Sequence, residues 1–222
     1  MWIGLVGSEM CIRDSFFSDP DAIVEMAESM SFYNPNTGNW PGERTKQIYV
    51  ENEAFFNYFG LKIYSLFYES NPDFWKLQCH FQKINPFCED KYGKKNRGWV
   101  HQDENCFFGG IVYLTKNPEP DTGTSIYKAK DGYSFQFNET LKMKEKLYKS
   151  MEVDDNEYEI EFDKMNDQYV ETVRVENVYN RLLMFNNTTY HGVNTFGSTP
   201  RLTLNFFGME QAGKIPPLVR MK

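Results

Sequence analysis

Between Phe74 and Phe207 the chain repeatedly starts and stops as short runs with a two-residue period, and that rhythm confines it to a mainly β scaffold. The runs are "FWKLQCHFQKI", "GWVHQDE", "GGIVYLT", "TSIYK", "RLLMFN", "TYHGVN" and "RLTLNFF", separated by turn signals such as "NPEPDTGT". The last is the most informative. Arg201, Thr203, Asn205 and Phe207 alternate with Leu202, Leu204 and Phe206. Successive side chains of a strand point to opposite faces, so one face is apolar and the other lines a polar space. About eight such strands fit a sandwich or closed barrel, and a double-sheet jelly roll matches the number.

Helices come first. "SDPDAIVEMAESM" starts with a cap-type residue and a proline in the first turn, then places Ile23, Met26, Ala27 and Met30 at helical spacing. "ENEAFFNYFGLKIYSLFYES" reads as a second helix, long enough to back a sheet. The Pro/Gly-punctuated "NPNTGNWPGERT" is a loop. From about residue 137 to 176 the texture becomes charged. "NETLKMKEKLYKSMEV" reads as an amphipathic helix. The acidic run after it has too few apolar residues for a core of its own, so the whole stretch is expected to be an insertion between core strands. Residues 1–15 are expected to be non-native or disordered. "GSEMCIRDS" has no amphipathic period and resembles a translated sequencing-adapter peptide found in metagenomic sequences, which would make the source microbial or viral. Residues 16–222 then form one domain.

The formal charge of -7 disfavours a binder of nucleic-acid backbones, which shows a basic face. The one basic run, "KYGKK" with Arg97, reads as a solvated loop. Four cysteines with no CxxC pair suggest reduced thiols, and hence a cytoplasmic protein. No apolar run approaches the ~20 residues of a membrane span.

The chain has only three histidines. His101 and Asp103, two apart in "GWVHQDE", share a face if that run is a strand. They supply a nitrogen and an oxygen ligand. A third must come from His80 or His191. His191, in "TYHGVN", is the better candidate, because a late jelly-roll strand can return beside an early one. Two imidazoles and one carboxylate with open positions form the facial triad of non-haem iron sites. Arg201 follows ten residues later. A guanidinium in a pocket is costly unless an anion meets it, and its fork matches a carboxylate.

The order His101-x-Asp103, "YLT", "GTS", His191 and then Arg201 resembles the Fe(II)/2-oxoglutarate-dependent oxygenases, most closely the prolyl-4-hydroxylase-like branch with its small bacterial and phage members. The resemblance spans about residues 74–208, apart from the insertion, which has no counterpart. It implies a double-stranded β-helix of the jelly-roll, cupin-like kind. It implies that His101, Asp103 and His191 hold Fe(II), and that Arg201 anchors the far carboxylate of 2-oxoglutarate with Tyr113 and Thr203 beside it. The reaction implied consumes 2-oxoglutarate and O2, with ascorbate as a reductant, and hydroxylates a peptidyl residue, an amino acid or a small metabolite.

Other readings of the same residues are a structural His101–Asp103 pair, a zinc hydrolase, and a jelly-roll binding module without activity. Zinc would use the triad but has no need of Arg201. His80 is expected to be a core or edge histidine, sharing a pocket-facing side with Gln78 and Gln82. Cys106, Trp99 and Phe107 are expected to be packing residues.

Overall fold

The computed structural model describes residues 10–34, 40–66, 74–133, 137–149 and 151–211. Residues 35–39 of the expected loop, and 67–70 at the end of the expected second helix, lie outside them. Among the described residues, nine strands and five α-helices run in the order β1 (Met10–Arg13), α1 (Pro20–Ser29), β2 (Glu43–Arg44), α2 (Ile48–Glu51), α3 (Glu53–Tyr64), β3 (Trp75–Ile84), β4 (Phe108–Tyr113), β5 (Thr124–Ala129), α4 (Phe137–Tyr148), α5 (Asp155–Asn166), β6 (Tyr169–Val175), β7 (Leu182–Asn186), β8 (Tyr190–Val193) and β9 (Arg201–Gln211). A short 3₁₀ turn, Lys94–Asn96, precedes β4.

The strands form two antiparallel sheets. The larger has the order β1-β7-β4-β9-β3-β2, the smaller β6-β5-β8. The pairing of β9 with both β3 and β4 sets which side chains share a face. Thr203 sits between Gln82 and Tyr113, and Asn205 between His80 and Ile111. The opposite face carries Leu204, Phe206, Cys79, Phe81 and Val112, all fully buried with α1 and α3 against them. The two-faced strand read from the sequence is therefore a wall between an apolar layer and a polar interior. Each large apolar side chain so buried stabilises the fold by about 1.5–3 kcal/mol. This is the double-stranded β-helix expected.

The helices that back the larger sheet are set by their caps. Asp19 accepts the Ala22 N–H at 3.1 Å ahead of Pro20, and Ile23, Val24 and Ala27 turn inward. Asn52 accepts the Phe55 N–H at 3.0 Å, and Phe55, Phe59 and Ile63 follow on one face.

Four expectations need correction. Residues 10–13 form an ordered edge strand on β7, with Met10 buried, and Asp14 pairs with Arg181 at 2.5 Å; residues 1–9 lie outside the described residues. The charged stretch is not all insertion, because residues 169–175 are β6, paired with β5. Nor does it lack a core. Leu147, Tyr148, Tyr158, Phe162 and Met165 pack with Trp99 and Val100, and the Trp99 indole N–H donates to Tyr158 Oη at 2.9 Å. The basic run is no solvated loop, since it clasps α5. Lys94 reaches Asp163 at 2.5 Å and Glu159 at 3.5 Å, Lys95 pairs with Asp155, and the Arg97 guanidinium lies 5.5 Å from the Phe162 ring centre. Finally, "GWVHQDE" is not a strand of either sheet.

That last segment still runs beside β8. Gly98 N–H donates to Val193 O at 2.8 Å, and His101 and His191 exchange backbone bonds at 3.0 and 2.9 Å. Gly98 permits the approach, because a Cβ there would stand 2.5 Å from the Val193 nitrogen. Residues 98–101 thus act as an irregular fourth member of the smaller sheet.

Candidate metal centre and anion pocket

Between the sheets lies a cavity of about 740 Å³, ample for a small molecule with a second ligand beside it. His101, Asp103 and His191 meet at its wall. One potential ligand atom from each lies within 4.8 Å of the others, the only such cluster of His, Cys, Asp and Glu among the described residues. His101 Nε2 is 3.9 Å from Asp103 Oδ1, His191 Nε2 is 3.6 Å from Asp103 Oδ2, and the two imidazole centres are 4.4 Å apart.

The other ring nitrogens decide the tautomers. His101 Nδ1 lies 2.8 Å from Trp99 O and His191 Nδ1 lies 2.9 Å from Thr189 O. A carbonyl oxygen can only accept, so each Nδ1 carries the proton and donates it. In the neutral ring each Nε2 then keeps its lone pair on the side of Asp103. A carbonyl that holds Nδ1–H in this way fixes the orientation of a metal-binding imidazole. Desolvation on the cavity wall, reinforced by His191 and Lys144, lowers the His101 pKa well below the usual imidazole value. Two neutral nitrogen donors and a carboxylate oxygen on one side, with open cavity on the other, fit a divalent transition metal.

His101 and Asp103 come together on the cavity wall, although the backbone there is an irregular bridge and not a strand. Gln102 turns away, donating to Thr188 O at 2.5 Å. Gly109 on β4 leaves room for the carboxylate: a Cβ there would stand 2.5 Å from Asp103 Oδ2. Nothing in the sequence marked this glycine beyond its place in a Gly-Gly pair. Gly109→Ala pushes Asp103 off its position while leaving the backbone in place. We expect metal affinity to fall about 10- to 100-fold, the range of outer-shell defects, with little change in melting temperature. Calorimetric titration with Mn(II) measures this, and an unaltered affinity would show that Asp103 needs no such space.

Arg201 lies deeper on the same cavity wall and is 3% exposed. Its Nε donates to Thr122 O at 3.1 Å, its guanidinium carbon stands 5.4 Å from the Tyr113 ring centre, and its Nη2 is buried without a hydrogen-bond partner. Burial lowers its pKa, and no carboxylate among the described residues faces it. Thr203 is fully buried beside it, and its hydroxyl also lacks a partner. The Tyr113 hydroxyl donates to Thr124 Oγ1 at 2.9 Å, and burial raises its pKa. A buried guanidinium with one nitrogen unpartnered and no carboxylate facing it, beside an unpartnered hydroxyl, is a gap shaped for an anion. The turn into β9 is held by Glu119, which accepts from the Ser198 N–H, Ser198 Oγ and Thr199 Oγ1 at 2.8–3.0 Å. Burial works against its charge, but these bonds together with Lys91 hold its pKa at about 2.

Gln78 and Gln82 line the cavity as anticipated. His80 is buried opposite Asn205 with its Nε2 unpartnered, and it is not part of the triad. Cys106 is buried, and burial with Asp103 nearby pushes its thiol up to about 12, so it is inert. Trp99 is core, whereas Phe107 is 44% exposed and does not pack as expected. All four cysteines are free thiols. No helix among the described residues is long and apolar enough to cross a membrane.

Two lining cations were not singled out from the sequence. Arg44 stacks on the Trp40 ring at 3.8 Å, and Lys144 projects from α4 on the face that carries Thr140, Leu141 and Tyr148. Burial holds their pKa values at about 9 and about 8, offset in part by Asp103. Tyr133, Tyr169 and Tyr190 form an aromatic wall, with the Tyr169 hydroxyl donating to Tyr133 Oη at 3.0 Å. Such residues carry no short motif, and only the fold gathers them.

Several solved structures share this architecture. HygX from Streptomyces hygroscopicus, determined with nickel and 2-oxoglutarate bound, is 10% identical with a TM-score of 0.56, covering 89% of this chain and 81% of its own. A prolyl hydroxylase from Trichoplax adhaerens, in complex with a hypoxia inducible factor peptide, is 13% identical with a TM-score of 0.55 and coverages of 90% and 83%. The non-heme alpha ketoglutarate dependent epimerase SnoN of nogalamycin biosynthesis is 10% identical with a TM-score of 0.53, covering 91% and 78%. Identities this low establish a shared fold. No curated protein matches the sequence. A family model does match, over residues 2–207, and the chain belongs to that family, the family of unknown function DUF6445.

Proposed function

We propose that this protein is a non-haem Fe(II) oxygenase that couples oxidative decarboxylation of 2-oxoglutarate to hydroxylation of an organic substrate. The observation that carries the reading is the joint presence, on one cavity, of three converging ligands and a buried Arg201 with no counter-charge among the described residues. His101 Nε2, His191 Nε2 and an Asp103 oxygen hold the metal, and their Nδ1–H bonds to Trp99 O and Thr189 O keep both rings aimed. Arg201 receives the far carboxylate of 2-oxoglutarate through its unpaired Nη2, and Thr203 Oγ1 donates to the same group. Tyr113 supports the guanidinium with its ring. When bound, the iron supplies the oxidation of the co-substrate by O2 and the delivery of one oxygen atom to the substrate. The chain's own work is to orient both reactants and to keep the cavity shielded from bulk water.

A zinc hydrolase built on the same triad would leave Arg201 buried without an anion. The test is direct. Purified protein supplied with Fe(II), ascorbate and O2 converts 2-oxoglutarate to succinate and CO2, slowly even without a primary substrate. The same protein loaded with zinc does not. No succinate with iron, combined with no binding of 2-oxoglutarate to the Mn(II)-loaded protein, overturns the reading.

A further inference from the structure

Arg44 and Lys144 pose a problem of charge. Arg44 belongs to β2, opposite Gln82 of β3, while Lys144 belongs to α4, so two separate parts of the chain bring a cation to one cavity. The Arg44 guanidinium lies over the Trp40 ring at 3.8 Å, and its Nε is buried with no hydrogen-bond partner. Among the described residues, neither side chain forms an ion pair with an acid. Arg44 lowers the pKa of Lys144, and Asp103 is the carboxylate whose field reaches both.

Asp103 cannot serve both cations and the metal. If the site works as proposed above, on which this inference rests, a divalent metal more than cancels Asp103. The two carboxylates of 2-oxoglutarate and the guanidinium of Arg201 then bring the centre to neutrality. Arg44 and Lys144 remain, two positive charges in a half-enclosed space that repel each other and the metal. Placing unpaired charges there is costly, and the cost is recovered when an anion arrives. Arg44, stacked over Trp40 with its Nε unpartnered, suits the fork recognition of a carboxylate or phosphate, and Lys144 adds a point charge from another element. Tyr133, Tyr169 and Tyr190 give the same cavity a ring-faced wall that can receive the body of a ligand.

We propose that the primary substrate is an acid, carrying a carboxylate or phosphate that Arg44 and Lys144 bind together beside the metal centre. Arg201 takes the co-substrate, and these two residues select the molecule to be oxidised. This division predicts two anion sites of separate specificity in one cavity.

The test uses the full chain with Mn(II) and saturating 2-oxoglutarate under nitrogen, titrated calorimetrically with three probes that share a ring: phenylacetate, phenyl phosphate and neutral phenylacetamide. At least one anion is expected to bind about ten times more tightly than phenylacetamide or better. The tighter of the two anions tells a carboxylic acid from a phosphate ester. Lys144→Met, on a half-exposed helix face, and Arg44→Met, checked for folding by thermal unfolding, should each weaken the preferred anion about 10- to 100-fold. In both variants the affinity for 2-oxoglutarate should remain that of the wild type. Equal binding of all three probes, no binding of either anion, or anion binding indifferent to both substitutions overturns the proposal. So does a loss of 2-oxoglutarate affinity in the variants, which would make Arg44 and Lys144 part of the co-substrate site. Failure of the oxygenase reading is seen separately, as absence of any 2-oxoglutarate binding to the Mn(II)-loaded wild type before a probe is added.

Discussion

Asp103→Asn is expected to weaken metal binding by more than about 100-fold, beyond the upper end of what an outer-shell partner contributes. The reason is that Asp103 brings the only negative charge to the triad. An imidazole ligates through a lone pair and brings no negative charge, and both rings have their Nδ1 protons committed to Trp99 O and Thr189 O. An asparagine keeps the shape but offers a weaker oxygen or an N–H that repels the cation. The measurement is thermal unfolding with increasing Mn(II). A ligand at 100 times its dissociation constant stabilises the folded state by about 2.7 kcal/mol. Wild type should gain this at a concentration where the variant gains almost nothing. Without metal the two should melt within a few degrees of each other, since among the described residues Asp103 makes no direct ion pair with a lysine or arginine and only its field reaches Arg44 and Lys144 across the cavity. If the variant keeps the full metal-dependent gain, the cation sits elsewhere and the triad is a structural cluster.

Much of this site can be read directly from the residues, and the parts that cannot share a physical cause. Strand β9 is legible because one face is core and the other lines the cavity, so Arg201 to Phe207 alternate cleanly. His101 and His191 stand out because histidine is so scarce in this chain. By contrast, α5 hides its apolar stripe of Tyr158, Phe162 and Met165 among acidic residues that serve the clasp of Lys94 and Lys95. That stripe sits at i, i+4 and i+7, a helical spacing that the dense charge around it obscures. Strand β6 is half exposed and sits directly after this text, so it reads as solvated when it is a sheet edge. Gly109 and Arg44 are harder still. Their meaning lies wholly in contacts with Asp103 and Trp40, and Gly109 meets its carboxylate only because β4 passes beneath residue 103. Local patterning reports which face is buried. It does not report which side chains from distant segments will face one another across a cavity.

Arg201→Met should separate the two anchoring functions of the cavity with effects of opposite sign. The guanidinium is 3% exposed, faces no acid among the described residues, and has a buried nitrogen without a partner. Holding it there in the absence of an anion costs free energy. A methionine of similar length removes the unpaired charge and keeps most of the packing against Tyr113, so the protein without ligands should become more stable, by about 1–3 kcal/mol. The affinity for 2-oxoglutarate moves the other way. Removing one partner of a buried charge pair typically costs about 2–5 kcal/mol, which corresponds to a loss of roughly 30- to 5,000-fold. Mn(II) affinity should not change, because Arg201 touches none of the three ligands. Arg201→Lys should fall between, since an ammonium restores the charge without the fork. Thermal unfolding without ligands and calorimetric titration with Mn(II) and then 2-oxoglutarate read all three quantities on the same samples. A variant that is less stable and binds 2-oxoglutarate as well as wild type would mean that Arg201 is a structural residue bound to Thr122 O, and that the co-substrate's far carboxylate is held by another cation of the cavity.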